Sequence, residues 1–269
     1  MRKKFIHILW AILVIVVGFS AFAFTAIWFG WIGYMPDLED LQNPINRYAT
    51  QVYSADGKVM GTWNLNKENR IVIPYSKMSI HLVHALVATE DIRFYQHSGI
   101  DFKALGRAVI KRGLLGEQNA GGGSTITQQL AKQLYSQTAQ STMQRLFQKP
   151  IEWVIAIKLE RYYTKDEIVA LYLNYFDFLH NAVGIKSAAN VYFNKEPKNL
   201  TLDESATLIG LCKNPSYFNP VRYPDRCRQR RNIVLQQMVK AGYLSDADYE
   251  EESARPLVLN FHRIDHKDG

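Results

Sequence analysis

Cysteine is nearly absent from this 269-residue chain, with Cys212 and Cys227 the two present. Two are too few for the disulfide framework of a small secreted domain, and their spacing fits no zinc pattern. A single bond between them is one alternative; burial of Cys212 as a small hydrophobe in its apolar run is the other. Acidic residues are outnumbered, 25 against 32 Lys and Arg, giving a formal net charge of +7. That balance suits an anionic partner but also serves solubility, so nucleic acid, anionic lipid and a phosphorylated substrate all stay open. Repeats and low-complexity tracts are missing apart from one glycine cluster, which excludes a solenoid. No Ser-x-x-Lys, Ser-x-Asn or Lys-Thr-Gly occurs, so active-site-serine acyl transfer has no support. At 47% hydrophobic and 21% charged residues the chain is not disordered, and it has room for one good-sized domain.

What is present begins with a hydrophobic run. Arg2, Lys3 and Lys4 precede an uncharged stretch from Phe5 to Pro36, longer than the roughly 20 residues that span a bilayer. A cleaved signal peptide competes, because small residues surround Ala21 and Ala23, but the apolar core of such a peptide runs only about 7–15 residues. The expectation is an uncleaved anchor, with the basic tip cytoplasmic and Trp28, Trp31 and Tyr34 at the far interface.

Beyond the anchor, a polar linker with two prolines leads to "QVYSADGKVMGTWNL", which predicts a short hairpin turning at Asp56-Gly57. From Ser79 onward helical signals dominate. Thr125-x-x-Gln128, Thr164-x-x-Glu167 and Thr201-x-x-Glu204 each match the capping box that satisfies orphan amides at a helix start. Further helices are expected after Asp101, through "EWVIAIKLERYY", and through "DRCRQRRNIVLQQMVKAG" with a stop at Gly242. Residues 111–124 hold five glycines, as a linker or as a mobile segment beside a site.

Three places carry potential chemistry. "ATEDIRFYQHSGID" sets Glu90 beside Asp91, where the bland reading is a helix end whose acids face water. "GSTITQQLAKQLYS" winds into a two-faced helix, with Ile126, Leu130 and Leu134 on one side and Thr125, Gln128, Gln129, Lys132 and Ser136 on the other. Hydroxyls, amides and one cation suit a sugar and a phosphate better than an ordinary solvated face. "FQKPIEWVIAIKLE" places Lys149 and Glu152 three apart. Because proline sits poorly inside a helix, Pro150 is expected at the helix start, with Glu152 in the first turn where the macrodipole favours an anion.

Taken in order, Glu90-Asp91-x-x-Phe94-x-x-His97-x-Gly99, Gly123-Ser124-Thr125-Ile126-Thr127-Gln128-Gln129-Leu130-x-Lys132, Lys149-x-x-Glu152, Lys165-x-Glu167-Ile168-x-x-x-Tyr172-Leu173-Asn174 and Glu204-x-Ala206-x-Leu208-x-Gly210-Leu211 with Pro215 and Tyr217 resemble family 51 glycosyltransferases. These are the peptidoglycan polymerases found as the N-terminal domain of class A penicillin-binding proteins. The chain departs from that family's pattern at Gln148 (usually Arg), Gln133 (usually Asn) and Ala170 (usually Glu); Arg145 is the cation that would replace the missing arginine.

The resemblance implies a mainly α, lysozyme-like bilobal glycosyltransferase domain with a short β-hairpin near the N-terminus and one transmembrane helix. Its divisions would be 1–36 (basic tip and anchor), 37–78 (linker and hairpin), 79–253 (glycosyltransferase) and 254–269 (start of a linker towards a transpeptidase). An N-terminal portion of a bifunctional enzyme is expected, with a single-domain polymerase as the alternative. The implied reaction polymerises lipid II into β-1,4 glycan with inversion, releasing undecaprenyl pyrophosphate. Glu90 would be the general base and Glu152 the second carboxylate; Asp91, Gly123, Ser124, Thr125, Gln128, Gln129, Lys132, Lys149 and Asn174 would bind substrate, with Lys132 and Lys149 stabilising the leaving phosphate. No dedicated cofactor or metal site is implied, and a divalent cation, Mg2+ or Mn2+, would be one carried by the substrate pyrophosphate. Expected partners are lipid II, the lipid-linked glycan, inner-membrane lipids and other cell-wall synthesis proteins, with no nucleic acid; the catalytic domain would lie outside the cytoplasm. Two rivals remain: a glycan-cleaving enzyme, which needs an acid and usually a second carboxylate, and an inactive lipid II-binding scaffold. Leu134, Tyr135, Met143, Leu146 and Phe147 are expected either to dip into the bilayer or to belong to the core. The basic run of Arg222, Arg226, Arg228, Arg230 and Arg231 is expected as a solvated face or a headgroup contact.

Overall fold

The structure, a computed structural model, describes residues 2–42, 50–56, 59–63, 70–111, 122–135 and 142–262. The described residues are mostly helical: α1 (Arg2–Trp28), α2 (Leu38–Gln42), α3 (Ile80–Glu90), α4 (Phe102–Val109), α5 (Ile126–Tyr135), α6 (Thr142–Tyr162), α7 (Lys165–Tyr175), α8 (Ile185–Phe193), α9 (Leu202–Leu211), α10 (Pro224–Lys240) and α11 (Asp246–Ala254). Strands β1 (Thr50–Tyr53) and β2 (Val59–Trp63) pair antiparallel, Thr50 opposite Trp63, while the expected turn residue Gly57 and most of the glycine-rich stretch 111–124 lie outside the described residues.

The core forms where helices are apolar nearly all round. In α3 the run Leu82, Val83 and Ala85 to Ala88 is buried, and in α9 so is every residue from Ser205 to Leu211. These two helices pack on each other and on α10, whereas α5 lies between α6 and α7. Their starts follow local chemistry. Ser79 Oγ accepts the His81 N–H and donates to the Leu200 carbonyl, tying α3 to the approach to α9. Thr164 and Glu167 form the reciprocal box at α7, and Glu204 accepts the Thr201 N–H at 2.9 Å. Asp101 caps α4 through the Ala104 N–H, and Gly242 leaves α10 at φ +77°. Both cysteines are free thiols, and burial pushes the Cys227 thiol up to about 12.

Helix α1 is long and apolar enough to cross a membrane, and Phe5 to Phe24 leave large side chains uncovered. Only its end is packed: Ala26 and Ile27 are buried, Phe24 stacks on Trp153 of α6, and Lys158 and Arg161 of α6 lie over the Trp28 ring at 5.1 and 4.9 Å.

The expectation for Pro150 is corrected by α6. Proline removes a hydrogen bond to the carbonyl four residues earlier, yet α6 runs through Pro150. Packing on α5 and α1 holds the helix past that gap, so Glu152 is a mid-helix residue and no macrodipole supports its charge. Leu134 and Tyr135 are also not free to enter a bilayer, because both pack on the core and the Tyr135 hydroxyl donates to the Asp40 carbonyl at 2.9 Å. The side chains of Met143, Arg145 and Leu146 lie outside the described residues.

Gly99 shows how closely the elements approach. Its φ is +89°, and an added Cβ would sit 2.9 Å from the backbone carbon of Ala156 in α6. Gly106, in α4, faces open space. In denaturant titrations of the full chain in detergent, Gly99→Ala is expected to lose about 2 kcal/mol or more. Gly106→Ala is expected to gain about 0.5–1 kcal/mol; equal effects would contradict the close approach.

Candidate active site

The adjacent acids at the end of α3 diverge. Asp91 leaves the helix inward and is buried, accepting the Ile126 N–H at 3.1 Å and facing His97 Nε2 at 3.0 Å. An anion at the first amide of α5 satisfies an orphan donor and complements the helix dipole. Both carboxylate oxygens of Asp91 are thereby engaged inside the fold. His97 is held in turn through its carbonyl, which accepts from Lys165 Nζ at 2.7 Å.

Glu90 is only partly buried, its side chain 15% exposed. Gln129, one turn into α5, donates Nε2 to Glu90 Oε2 at 2.8 Å, and its Oε1 accepts the Tyr172 hydroxyl at 3.1 Å. The fully buried Tyr172 has a phenol raised well above its ordinary value, by burial first and then by Cys212 and Glu90, so it remains a neutral donor. That donor fixes the Gln129 amide, leaving its N–H₂ for Glu90. Burial also raises the Cys212 thiol beside Tyr172. Behind Glu90, Arg230 brings a guanidinium nitrogen to 4.0 Å from Oε1. Burial lowers the Arg230 pKa and the nearby Glu90 raises it, but a guanidinium stays charged in water.

A second group gathers at α6. Glu152 is 1% exposed and meets Lys149 Nζ at 2.7 Å, while Lys149, half exposed, also donates to Ser124 Oγ at 3.3 Å. Gly123 lies against α4, its missing Cβ 3.3 Å from that of Ala108. Lys132 is exposed on α5.

Other expected ligands are committed to the fold. Thr125 Oγ1 and Gln128 Nε2 both donate to the Gly99 carbonyl, at 2.8 and 3.1 Å, and both residues are buried. Thr125 does cap α5 through the Gln128 N–H, but Gln128 does not close the box because Gly99 offers its side chain a buried acceptor. Asn174 exchanges two hydrogen bonds with the Ile73 backbone at 3.1 and 2.8 Å. All three side chains are hydrogen-bonded within the fold.

Arg230 is the residue that sequence reasoning missed. The basic run splits: Arg226 lies over the rings of Tyr217 and Tyr223, whereas Arg231 is fully buried and donates to the carbonyls of Ser253, Arg255 and Pro256. No local signal separated Arg230 and Arg231 from the rest of the run, since neighbours 100° apart can both face solvent, as Arg228 and Gln229 of the same helix do. Among the described residues, Asp91, His97 and Asp101 are close enough to share an ion, but Arg93 pairs with Asp101 and the Ile126 amide occupies Asp91.

A family profile described as Transglycosylase matches residues 56–239. Penicillin-binding protein 1A of Aquifex aeolicus is 39% identical over 96% of this chain and 34% of its own length. The corresponding values are 36%, 85% and 26% for penicillin-binding protein 1A of Escherichia coli, and 42%, 73% and 27% for penicillin-binding protein 1F of Bacillus subtilis. The chain thus spans about a third or less of these relatives. Among solved structures, penicillin-binding protein 1A from Haemophilus influenzae aligns with TM-score 0.44 at 24% identity, over 81% of this chain and 22% of that one.

The buried Glu152 generates a test. Lys149→Met leaves a buried carboxylate without its cation and is expected to destabilise the full chain by about 1–3 kcal/mol in denaturant titration. Adding Glu152→Gln to it is expected to recover most of that loss; no recovery would show that the pair is not coupled.

Proposed function

The chain belongs to the transglycosylase family, and we propose that it polymerises lipid II into β-1,4-linked glycan, with inversion at C1 and release of undecaprenyl pyrophosphate. One observation carries this reading furthest: the Glu90 carboxylate, 15% exposed, accepts from Gln129 with Arg230 4.0 Å behind it, while α5 and α6 present Lys132 and Lys149. A base and a set of cations, with the carboxylate of Glu152 buried against Lys149, suit displacement of a pyrophosphate better than protonation of a sugar ether. Glu90 accepts the Gln129 amide at 2.8 Å, and an acceptor is what a base must be.

In this mechanism Glu90 takes the proton of the acceptor 4-hydroxyl as its oxygen attacks C1 of the lipid-linked chain. Gln129 and Tyr172 fix the carboxylate's direction, and Arg230 balances its charge. Lys149, with Ser124 beside it, and Lys132 receive the growing phosphate charge. Glu152 holds Lys149 in place rather than acting on the sugar. The mechanism calls on no dedicated cofactor; Mg2+ or Mn2+ would be carried by the pyrophosphate and balance its charge, since Lys149 already balances that of Glu152.

The same reading makes α1 a single inner-membrane span with Arg2, Lys3 and Lys4 in the cytoplasm and the helical domain outside it. It also makes residues 79–253 a lysozyme-like bilobal catalytic domain entered through the hairpin of 37–78, with 254–269 leading towards a transpeptidase. Other cell-wall synthesis proteins are its expected companions, and nucleic acid is not.

The test is polymerisation of labelled lipid II by the full chain in detergent, read as glycan ladders. Glu90→Gln is expected to cut the rate by about 10²-fold or more. Arg230→Gln is expected to cost roughly tenfold or more in kcat with little change in KM, because it acts through Glu90. A folded Glu90→Gln protein with wild-type ladders would refute the assignment of the base.

A further inference from the structure

Helix α10 carries, one turn before Arg230, a cation that the mechanism leaves unused. The guanidinium carbon of Arg226 sits 4.7 Å from the centres of both the Tyr217 and the Tyr223 rings. Among the described residues Arg226 meets no acid and its side chain makes no hydrogen bond. The two tyrosines remain 50% and 41% exposed, and neither hydroxyl is engaged by a described residue. Residues 210–224 contain no acid but include Lys213 and Arg222. Two aromatic rings thus hold a planar guanidinium in place without neutralising it, which leaves its N–H fork free for an anion.

The loop between α9 and α10 keeps that geometry. Asn219, 3% exposed, accepts the Val221 and Arg222 N–H groups on its Oδ1 at 3.0 and 3.1 Å, and its carbonyl accepts the Tyr223 N–H at 2.7 Å. Asn214 does the same for the other tyrosine, taking the Tyr217 N–H on its Oδ1 at 3.1 Å and the Phe218 N–H on its carbonyl at 3.0 Å. From there the contacts run to the base. Tyr217 stands edge-on to Phe218 with ring centres 4.9 Å apart, the Arg230 guanidinium lies 5.9 Å from the Phe218 ring, and Arg230 faces Glu90 at 4.0 Å. Four residues separate Arg226 from Arg230, about 6 Å along the helix. Lys132 and Lys149 belong to α5 and α6, so this cation approaches Glu90 from other elements than theirs.

We propose that Arg226, seated over Tyr217 and Tyr223, binds a carboxylate of the peptide stem on the acceptor. The proposal rests on the lipid II polymerase reading and deepens it. In lipid II the sugar whose 4-hydroxyl attacks is joined to a second sugar, which bears a short peptide with free carboxylates. With that hydroxyl at Glu90 the peptide begins one sugar away, and three extended residues reach about 10 Å, enough to cover the turn of α10 between Arg230 and Arg226. A guanidinium fork matches a carboxylate with two parallel N–H···O bonds, and the tyrosine rings offer flat apolar surface to the peptide beside it. The pyrophosphate does not need this cation, because Lys132 and Lys149 receive it. Arg226 thereby selects acceptors whose stem is anionic.

The test measures initial rates of transfer by the full chain in detergent. The donor is a lipid-linked tetrasaccharide with its terminal 4-hydroxyl blocked, held in excess, and the acceptor is labelled lipid II at varied concentration. Lipid II is used with its native stem and with the stem carboxylates converted to amides. Arg226→Gln is expected to raise the KM for native lipid II about tenfold with kcat little changed, the loss of one charge-assisted pair made in binding. Amidated lipid II is expected to show the same rise with the unmutated chain, a result that no folding defect can produce, and no further rise with Arg226→Gln. Equal KM values for native and amidated lipid II with the unmutated chain overturn the proposal and leave the polymerase reading intact. A rise in KM with Arg226→Gln that is as large for amidated lipid II also overturns it, because the arginine then acts through something other than a stem carboxylate. With the donor varied instead, a rise in the donor's KM and none in the acceptor's places the bound stem on the growing chain and overturns the assignment to the acceptor. Absence of any transfer by the unmutated chain refutes the polymerase reading and the proposal with it.

Discussion

Asp91 accepts the first free amide of α5 and pairs with His97, and the contact of Gln129 with Glu90 depends on that joint. A buried hydrogen bond from a backbone N–H to a charged carboxylate contributes about 1.5–3 kcal/mol, and an unsatisfied buried anion would cost more. The joint therefore holds α5 at one height against the end of α3. One turn further along α5, Gln129 then meets Glu90, and the buried Tyr172 settles which end of its amide does so. Two neighbouring acids thus have opposite duties because the chain leaves the helix between them: the inner one builds the wall from which the outer one works.

Helix α6 is the common backing for three features that are far apart in sequence. Gly99, whose carbonyl receives Thr125 and Gln128, rests directly on the Ala156 backbone. Glu152 sits in the same helix with Lys149 one turn before it, and the end of α1 packs on its outer side through Trp153, Lys158 and Arg161. A shift of α6 would move the anchor contact, the α5 start and the Lys149 ammonium together. This is why an interior Pro150 is tolerated: the missing backbone bond is small beside the side-chain packing that fixes the helix on two faces.

Much of this was legible locally. Helix starts at Thr164, Thr201 and Asp101 could be read because capping is decided within four residues, and the stop at Gly242 because positive φ favours glycine. The apolar row Ile126, Leu130, Leu134 identified the buried side of α5. Partner choice was not legible, because it depends on which backbone comes near from elsewhere. Thr125, Gln128 and Asn174 have the chemistry of sugar ligands, yet the Gly99 carbonyl and the Ile73 backbone reach them first. The placement of Pro150 failed for the same reason, since its local cost was outweighed by contacts distant in sequence.

The two arginines of α10 show how a single residue step separates structure from chemistry. Arg231 turns towards α11 and satisfies carbonyls at that helix's C-terminal end, where orphan acceptors and a negative dipole favour a cation. Arg230 turns towards α9, where Gly210 lets it cross: a Cβ there would lie 3.1 Å from the Arg230 Cγ, and the Gly210 carbonyl faces Arg230 Nε at 3.4 Å. A side chain at position 210 would push the guanidinium away from Glu90 without touching either carboxylate. Glycine on α9 is therefore part of the same arrangement as the base, and the wall behind Glu90 is set by how closely two helices pack.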